Sequence, residues 1–396
     1  MPYRSHWTLD PGVVFLNHGS FGACPLPVLA EQSRWRERME HEPVRFFVHE
    51  VESALDGAAG RVAEFVGARP ADLVFVANAT TGVNAVLRSL RLAAGDEILA
   101  TDHGYNACVN TLRFVCERAG ARAVVVPIPF PLAGSEQIVE AILDAVTPRT
   151  RLAMISHITS STGLILPIKR LVDALAARGV DTLVDGAHAP GMVPLDLAAL
   201  GAAYYTGNCH KWLCAPKGAA FLHVRADRQA GVRPAVISHG ANSARTDRSR
   251  FRVEFGWTGT DDPSAFLSVP AAIDFMGSLL PGGWPALMAA NRTRALAGRR
   301  AITGALGQEL PAPDEMIGAL AAVPLPAGTD SSRAAAFAMD PLQEVLMNRH
   351  RIEVPVFVWP APPHRLLRIS AQIYNHDDEY RLLAGTLREL LATSGT

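Results

Sequence analysis

The stretch Tyr204-Tyr205-Thr206-Gly207-Asn208-Cys209-His210-Lys211-Trp212 opens as a short aromatic run and breaks at Gly207 into polar residues. Its first half reads as a buried strand, and its second half presents a lysine just beyond the strand end. Of the 37 basic residues only Lys169, Lys211 and Lys217 are lysines, so 34 arginines carry nearly all the positive charge. An arginine stays protonated, whereas a lysine amine can lose its proton and attack a carbonyl. Lys211 is therefore either a plain strand terminator or a nucleophile kept in a chain that otherwise chooses arginine.

Working outward, strand and helix patterns alternate. Strands are expected at 73–76, 97–100, 123–128, 152–156, 182–184, 203–206 and 219–224, with helices at about 79–92, 105–119, 135–146 and 167–178. Such alternation predicts an α/β fold with a mostly parallel sheet covered on both faces and a site at the strand C-terminal ends. Polar residues gather at those ends: Asp102-His103-Gly104-Tyr105, His157-Ile158-Thr159-Ser160, Asp185-Gly186-Ala187-His188 and Asn208 to Lys211. Asn78-Ala79-Thr80-Thr81-Gly82 lies between a strand and a helix, so Thr80, Thr81 and free N–H groups fall at a helix N-terminus that suits a phosphate.

Beyond this core, 29–65 reads as helix with a break near Pro43, and Pro43-Val44-Arg45-Phe46-Phe47 sets an arginine among aromatics. Residues 13–16 form a short strand candidate before the loop Asn17-His18-Gly19-Ser20-Phe21-Gly22, whose glycines suggest a close backbone approach. Residues 228–265 read as arginine-rich loop, and helices are expected from 265 to about 306. The last ninety residues have the make-up of a small α+β lobe. The expected organisation is an N-terminal segment (1–30) joining the small lobe, a large α/β domain (31–262), and linking helices with a small C-terminal α+β domain (263–396).

Composition narrows the function. With 396 residues, 49% hydrophobic and 19% charged, the chain can bury a sizeable core. A net charge of −1 gives no electrostatic case for nucleic acid or an anionic membrane. No run is long and apolar enough to span a bilayer, and the first residues lack the apolar core of a signal peptide, so a cytoplasmic location is expected. Five cysteines without a C-x-x-C pair argue against a disulfide framework or a thiolate metal site. The missing G-x-G-x-x-G makes an α/β dehydrogenase improbable.

Asp185 and Lys211 are the pair that a pyridoxal phosphate (PLP) site needs: an amine for the aldehyde, and a carboxylate to keep the pyridine nitrogen protonated. A helix cap is the alternative for Asp185. Asp185-Gly186-Ala187-His188-Ala189-Pro190-Gly191 with Asn208-Cys209-His210-Lys211-Trp212 resembles the class V aminotransferases of the fold-type I PLP enzymes. More narrowly, Leu16-Asn17-His18-Gly19-Ser20-Phe21-Gly22, Asn78-Ala79-Thr80-Thr81 and Arg368-Ile369-Ser370-Ala371-Gln372-Ile373-Tyr374-Asn375 resemble the isopenicillin N epimerase-like branch, much of whose pattern is shared by plant-type L-cysteine desulfhydrases.

The resemblance implies a seven-stranded, mostly parallel sheet and a role for each residue. Lys211 carries the Schiff base and shuttles the α-proton, Asp185 pairs with the pyridine nitrogen, and His188 lies near the phenolic oxygen. Thr80, Thr81, Asn208 and His210 hold the phosphate, with Thr260 reaching it from the other subunit of a homodimer. Arg368 clamps the substrate α-carboxylate. Tyr105 or His103 stacks on the ring, Tyr105 being preferred because its hydroxyl also offers a second acid/base. Asn17, His18 and Arg45 are candidates for the amino-acid pocket, with a salt bridge the alternative for Arg45, and His157 either lines the pocket or is a satisfied core histidine.

One such site supports several reactions. An epimerase or racemase is the first expectation, a C–S β-lyase the second and an aminotransferase the third; a PLP-free binding homologue is the non-enzyme alternative. No cysteine follows Cys214, which disfavours desulfuration through a protein persulfide.

Overall fold

The computed structural model describes residues 3–328 and 339–393. Its strands, in chain order, are β1 (Val14–Phe15), β2 (Leu73–Val76), β3 (Glu97–Thr101), β4 (Arg122–Val126), β5 (Thr150–Ser156) and β6 (Asp181–Asp185). They continue with β7 (Tyr204–Asn208), β8 (Ala220–Val224), β9 (Leu320–Leu325), β10 (Ile352–Glu353), β11 (Val356–Val358) and β12 (Arg365–Ser370). The seven strands β2 to β8 make the central sheet in the order β2-β8-β7-β6-β5-β3-β4. Only β8 runs against its neighbours β2 and β7; every other pairing is parallel.

Helices cover the sheet because their apolar residues repeat at helical spacing. On Ile168–Ala176 the buried residues are Ile168, Leu171, Val172 and Leu175, one stripe of the helix. In the same core cluster Val184, Tyr205 and Phe221 are fully buried, each aliphatic or aromatic side chain contributing about 1.5–3 kcal/mol; Leu183 packs on the opposite face of the sheet. The strand–helix crossovers point the strand C-terminal ends to one edge, where Asp185 closes β6 and Asn208 closes β7. Since β6 and β7 are adjacent and parallel, the segments that follow them emerge side by side.

The C-terminal lobe is a three-stranded antiparallel sheet in the order β11-β12-β9, packed against the helices Gly283–Ala305 and Asp377–Thr393. β1 pairs parallel with β10, which ties the N-terminal segment to this lobe. The helices Ser264–Leu267 and Val269–Ser278 pack instead on Leu26–His41 and Val51–Phe65 beside the large sheet.

Three local expectations need correction. Residues 17–22 are not a plain loop: His18–Phe21 forms one helical turn, which aims His18 inward. The stretch 228–265 contains the helix Arg250–Gly256, capped by Ser249 and burying Phe251 and Phe255 one turn apart. The helix expected to reach residue 92 ends at Ser89. The close approach expected at the glycines is present. Gly22 adopts φ 66°, and a Cβ there would meet the carbonyl oxygen of His210 at 2.4 Å.

Candidate active site

A cavity of about 590 Å³ opens at the strand C-terminal ends and is lined by Asp185, His188, Asn208, His210 and Lys211 from the β6 and β7 side. Thr80, Thr81, Tyr105, Ser20, Phe21 and Ser160 complete much of its wall. The turn carrying Lys211 is fixed by the backbone: the N–H groups of Cys209 and His210 both donate to Ala219 O, and Ala215 N–H donates to Cys209 O.

The Lys211 amine lies 3.1 Å from His188 Nε2. Burial, reinforced by the positive charge of Arg368, lowers its pKa to about 7, while Asp185 and Cys108 pull the other way. A large fraction of the amine is thus unprotonated near neutrality, the form that attacks an aldehyde.

Asp185 is buried with few partners. One oxygen accepts from Ala187 N–H at 3.1 Å, and the other accepts only the Cys108 thiol at 3.5 Å. Burial raises its pKa despite the Ala187 hydrogen bond and the Lys211 charge. This carboxylate has unmet demand for a charged N–H donor.

Against the end of β7 stands the N-terminus of the helix Ala79–Ser89. Asn78 caps it by accepting from Thr81 N–H at 2.8 Å, and Asn208 Oδ1 accepts from Ala79 N–H at 2.8 Å. The helix sits unusually close to β7, because a Cβ at Gly82 would overlap Thr206 Oγ1 at 2.4 Å. Its positive end therefore faces the cavity, with the Thr80 and Thr81 side chains in the wall. His210 donates from Nδ1 to Ala219 O at 2.8 Å, which leaves Nε2 for the cavity.

Arg368, from β12, does not itself line the cavity but lies behind the wall residues Ser20 and Ser160; it is almost wholly buried yet has no acidic partner among the described residues. It donates to Ser160 O at 2.6 Å and to Ser20 Oγ at 2.9 Å, its Nε is without a hydrogen bond, and its guanidinium lies over Phe357. A buried cation satisfied by neutral acceptors alone suits an incoming carboxylate.

Other candidates lie elsewhere. Tyr105 lines the cavity half-exposed, whereas His103 is buried against Trp359 and Phe130, with Nδ1 on Thr162 and Nε2 on Ile128 O. His157 is partly buried, with Nδ1 on the Tyr205 hydroxyl at 2.9 Å, and does not line the cavity. Asn17 accepts from Ser20 at 2.6 Å, and His18 sits behind Lys211; neither lines the cavity. Arg45 is exposed and pairs with Glu50 at 3.3 Å, outside the cavity of its own chain. Thr260 is exposed in the turn after Trp257, also outside that cavity. Ser160, from the polar cluster after β5, is in the wall, and so are Ser20, Phe21, Asn84 and Ala235, which are not among the site residues expected from the sequence. For Ser20 the signal was available, since it sits between the two glycines of the 17–22 turn.

The donor set fits pyridoxal phosphate: an amine for its aldehyde, an under-satisfied carboxylate for its ring nitrogen, and a helix N-terminus for its phosphate. The fold and this cavity define a fold-type I PLP-dependent enzyme. The chain belongs to the class V aminotransferase family, whose model, described as Aminotransferase class-V, matches residues 25–280.

An isopenicillin N epimerase of Amycolatopsis lactamdurans is 40% identical over 98% of this chain and 97% of the relative. One from Streptomyces clavuligerus is 36% identical with the same coverage. A putative L-cysteine desulfhydrase of Oryza sativa subsp. japonica is 32% identical over 98% of this chain and 85% of its own length. Among solved structures, a mutant of C-DES with glycine covalently linked to its PLP cofactor superposes with a TM-score of 0.81 at 21% identity, covering 98% of this chain and 100% of the other. No single helix among the described residues is long and apolar enough to cross a membrane.

Proposed function

We propose that the enzyme epimerises or racemises an amino-acid substrate at Cα, with Lys211 and Tyr105 as its two proton-carrying groups. The observation that carries this reading is that both residues line one cavity, in a chain 40% and 36% identical to proteins named isopenicillin N epimerase. When bound, pyridoxal phosphate supplies an electron sink that acidifies the substrate Cα proton. The unprotonated Lys211 amine accepts that proton. Burial raises the Tyr105 pKa, so its hydroxyl stays protonated and serves as the donor to the other side of Cα.

In the same reading Asp185 neutralises the ring nitrogen, and Thr80, Thr81, Asn208 and His210 take the phosphate. His188 sits at the Lys211 amine, and Arg368 holds the substrate carboxylate, freed for it by the lack of an acidic partner. The working unit is a homodimer in which Thr260 of one chain reaches the phosphate of the other. Dilution to monomer then releases the cofactor and the activity together; retention of both by a monomer refutes the shared site. Five free, buried cysteines suit a reducing cytoplasm.

The second reading is a C–S β-lyase, favoured by the 32% identity to a putative L-cysteine desulfhydrase. None of the cysteines lines the cavity, so that chemistry would proceed by elimination without an enzyme persulfide. Single L-amino acids in deuterated water separate the two. Deuterium at Cα with loss of chirality supports epimerisation, and pyruvate with ammonia from cysteine overturns it in favour of the lyase.

A further inference from the structure

Lys211 is gripped at two points by two histidines. His18 Nδ1 receives the N–H of Ala23 at 3.3 Å and faces the Tyr374 hydroxyl at 2.7 Å. An Nδ1 that accepts a backbone N–H carries no proton, so the neutral ring bears its proton on Nε2. That Nε2–H donates to the Lys211 carbonyl at 3.1 Å, fixing the backbone. The same logic recurs at the amine. The Trp212 indole is a donor only, and it points at His188 Nδ1 at 3.3 Å. His188 therefore bears its proton on Nε2, which faces Lys211 Nζ at 3.1 Å. An ammonium has no lone pair to accept that proton, and a neutral amine does.

We propose that Trp212 is a positioning residue: its indole N–H locks His188 as the Nε2–H tautomer, which holds the Lys211 amine in its unprotonated form. Trp212 is next to the reactive lysine in sequence but faces away from it, packing on the His18 ring with centroids 4.9 Å apart. It touches neither the cavity nor any reacting atom. Without the indole N–H, His188 is free to carry its proton on Nδ1 and offer a bare Nε2, which stabilises the ammonium instead.

Other charged or titratable groups act on the same amine. Arg368 on β12 disfavours the ammonium, while Asp185 at the end of β6 and Cys108 on the helix Asn106–Ala119 favour it. His188 is also influenced by Arg368, His18 and His210. Trp212→Phe removes none of these groups; it keeps an aromatic ring beside His18 and deletes one N–H.

The inference rests on Lys211 being the amine that captures the cofactor, and the test separates the two. The full-length protein, freed of cofactor, is mixed with pyridoxal phosphate across pH 5 to 10, and the adduct is trapped with borohydride and located by mass spectrometry. No adduct at Lys211 in the wild type sinks the functional reading itself. With the wild-type adduct in place, Trp212→Phe is expected to move the midpoint of capture upward by about one pH unit, the size set by one hydrogen bond to the neutral amine. An unchanged midpoint in a variant with native melting behaviour overturns the proposal. Should Trp212→Phe not fold, nitrogen-15 NMR of histidine-labelled wild-type protein decides, with His188→Gln assigning the signal. A protonated Nε2 on His188 is the expected result, and a protonated Nδ1 refutes it.

Discussion

The two ends of the cavity are built on different principles. The Lys211 end comes from one sheet: Asp185, His188, Asn208, His210 and Lys211 follow two adjacent parallel strands, within a span closed by main-chain hydrogen bonds to Ala219. The Arg368 end is assembled from three distant segments: Ser20 and Ser160 line the cavity, and Arg368 stands behind them as their hydrogen-bond donor without lining it, with the N-terminal segment tied to the C-terminal lobe by β1 and β10. In the proposed assignment, the chemistry that must be held rigidly is placed on the sheet, and recognition where the lobes meet. Rigid elements fix proton-transfer distances better than an interface between lobes does.

That contrast can be broken most severely at the sheet end. Lys211→Ala should lower kcat on the order of 10³-fold or more and abolish borohydride-stable attachment of the cofactor. Retained turnover would dismantle the assignment. Asp185→Asn keeps the shape and removes the charge, so kcat should fall on the order of 10²–10³-fold, with weaker cofactor retention on gel filtration.

At the lobe end the expected effects are smaller and fall on binding. Arg368→Lys keeps a cation but loses the planar fork, so KM for an amino acid should rise about tenfold or more with kcat less affected. A drop in kcat with unchanged KM would move Arg368 out of the recognition role. Ser160→Ala marks the lower limit: Arg368 leans on the Ser160 carbonyl at 2.6 Å and on its hydroxyl only at 3.4 Å. Its kcat/KM should stay within about threefold of wild type.

The pH dependence sharpens the comparison further. The Lys211 pKa is lowered to about 7 in the folded chain, below its ordinary value. Below that value the amine is protonated in both folded and unfolded states, and capture of pyridoxal phosphate by the cofactor-free protein should fall about tenfold per pH unit. Between about 7 and the ordinary lysine range the unfolded chain binds the extra proton, so this group makes folding more favourable as pH rises. Stopped-flow capture rates and melting temperatures over pH 6 to 9 test both; a pH-independent capture rate contradicts the lowered value.

What could be read from the sequence follows the same division. The sheet end was legible because strand, turn and helix are neighbours in the chain, so Asp185, Lys211, Asn208 and the Thr80–Thr81 turn announce themselves locally. All seven central strands could be placed from apolar runs, although β8 was not recognisable as antiparallel because strand direction leaves no mark on composition. Arg368 emerged only through family resemblance, being one arginine among 34. Ser20 and Ser160 were invisible as a pair, since their meeting depends on long-range packing. His18 and Asn17 do not line the cavity of this chain, for the helical turn His18–Phe21 sets His18 against the Lys211 carbonyl and Asn17 accepts from Ser20, an arrangement no local pattern announces. The helix Arg250–Gly256 hid under its arginines, its apolar signal reduced to Phe251, Val253 and Phe255.

The hydrogen bond between Arg368 and Ser20 joins residues 348 positions apart at 2.9 Å. Closing so wide a loop carries an entropic cost that grows with the logarithm of its length, and it waits for both lobes to be in place. Refolding should therefore proceed in an order set by chain connectivity: cofactor capture at Lys211 recovers first, and the spectral response to an added amino acid recovers later. In a nascent chain, likewise, Asp185 and Lys211 are in place before Arg368, the partner of Ser20 and Ser160, has been synthesised.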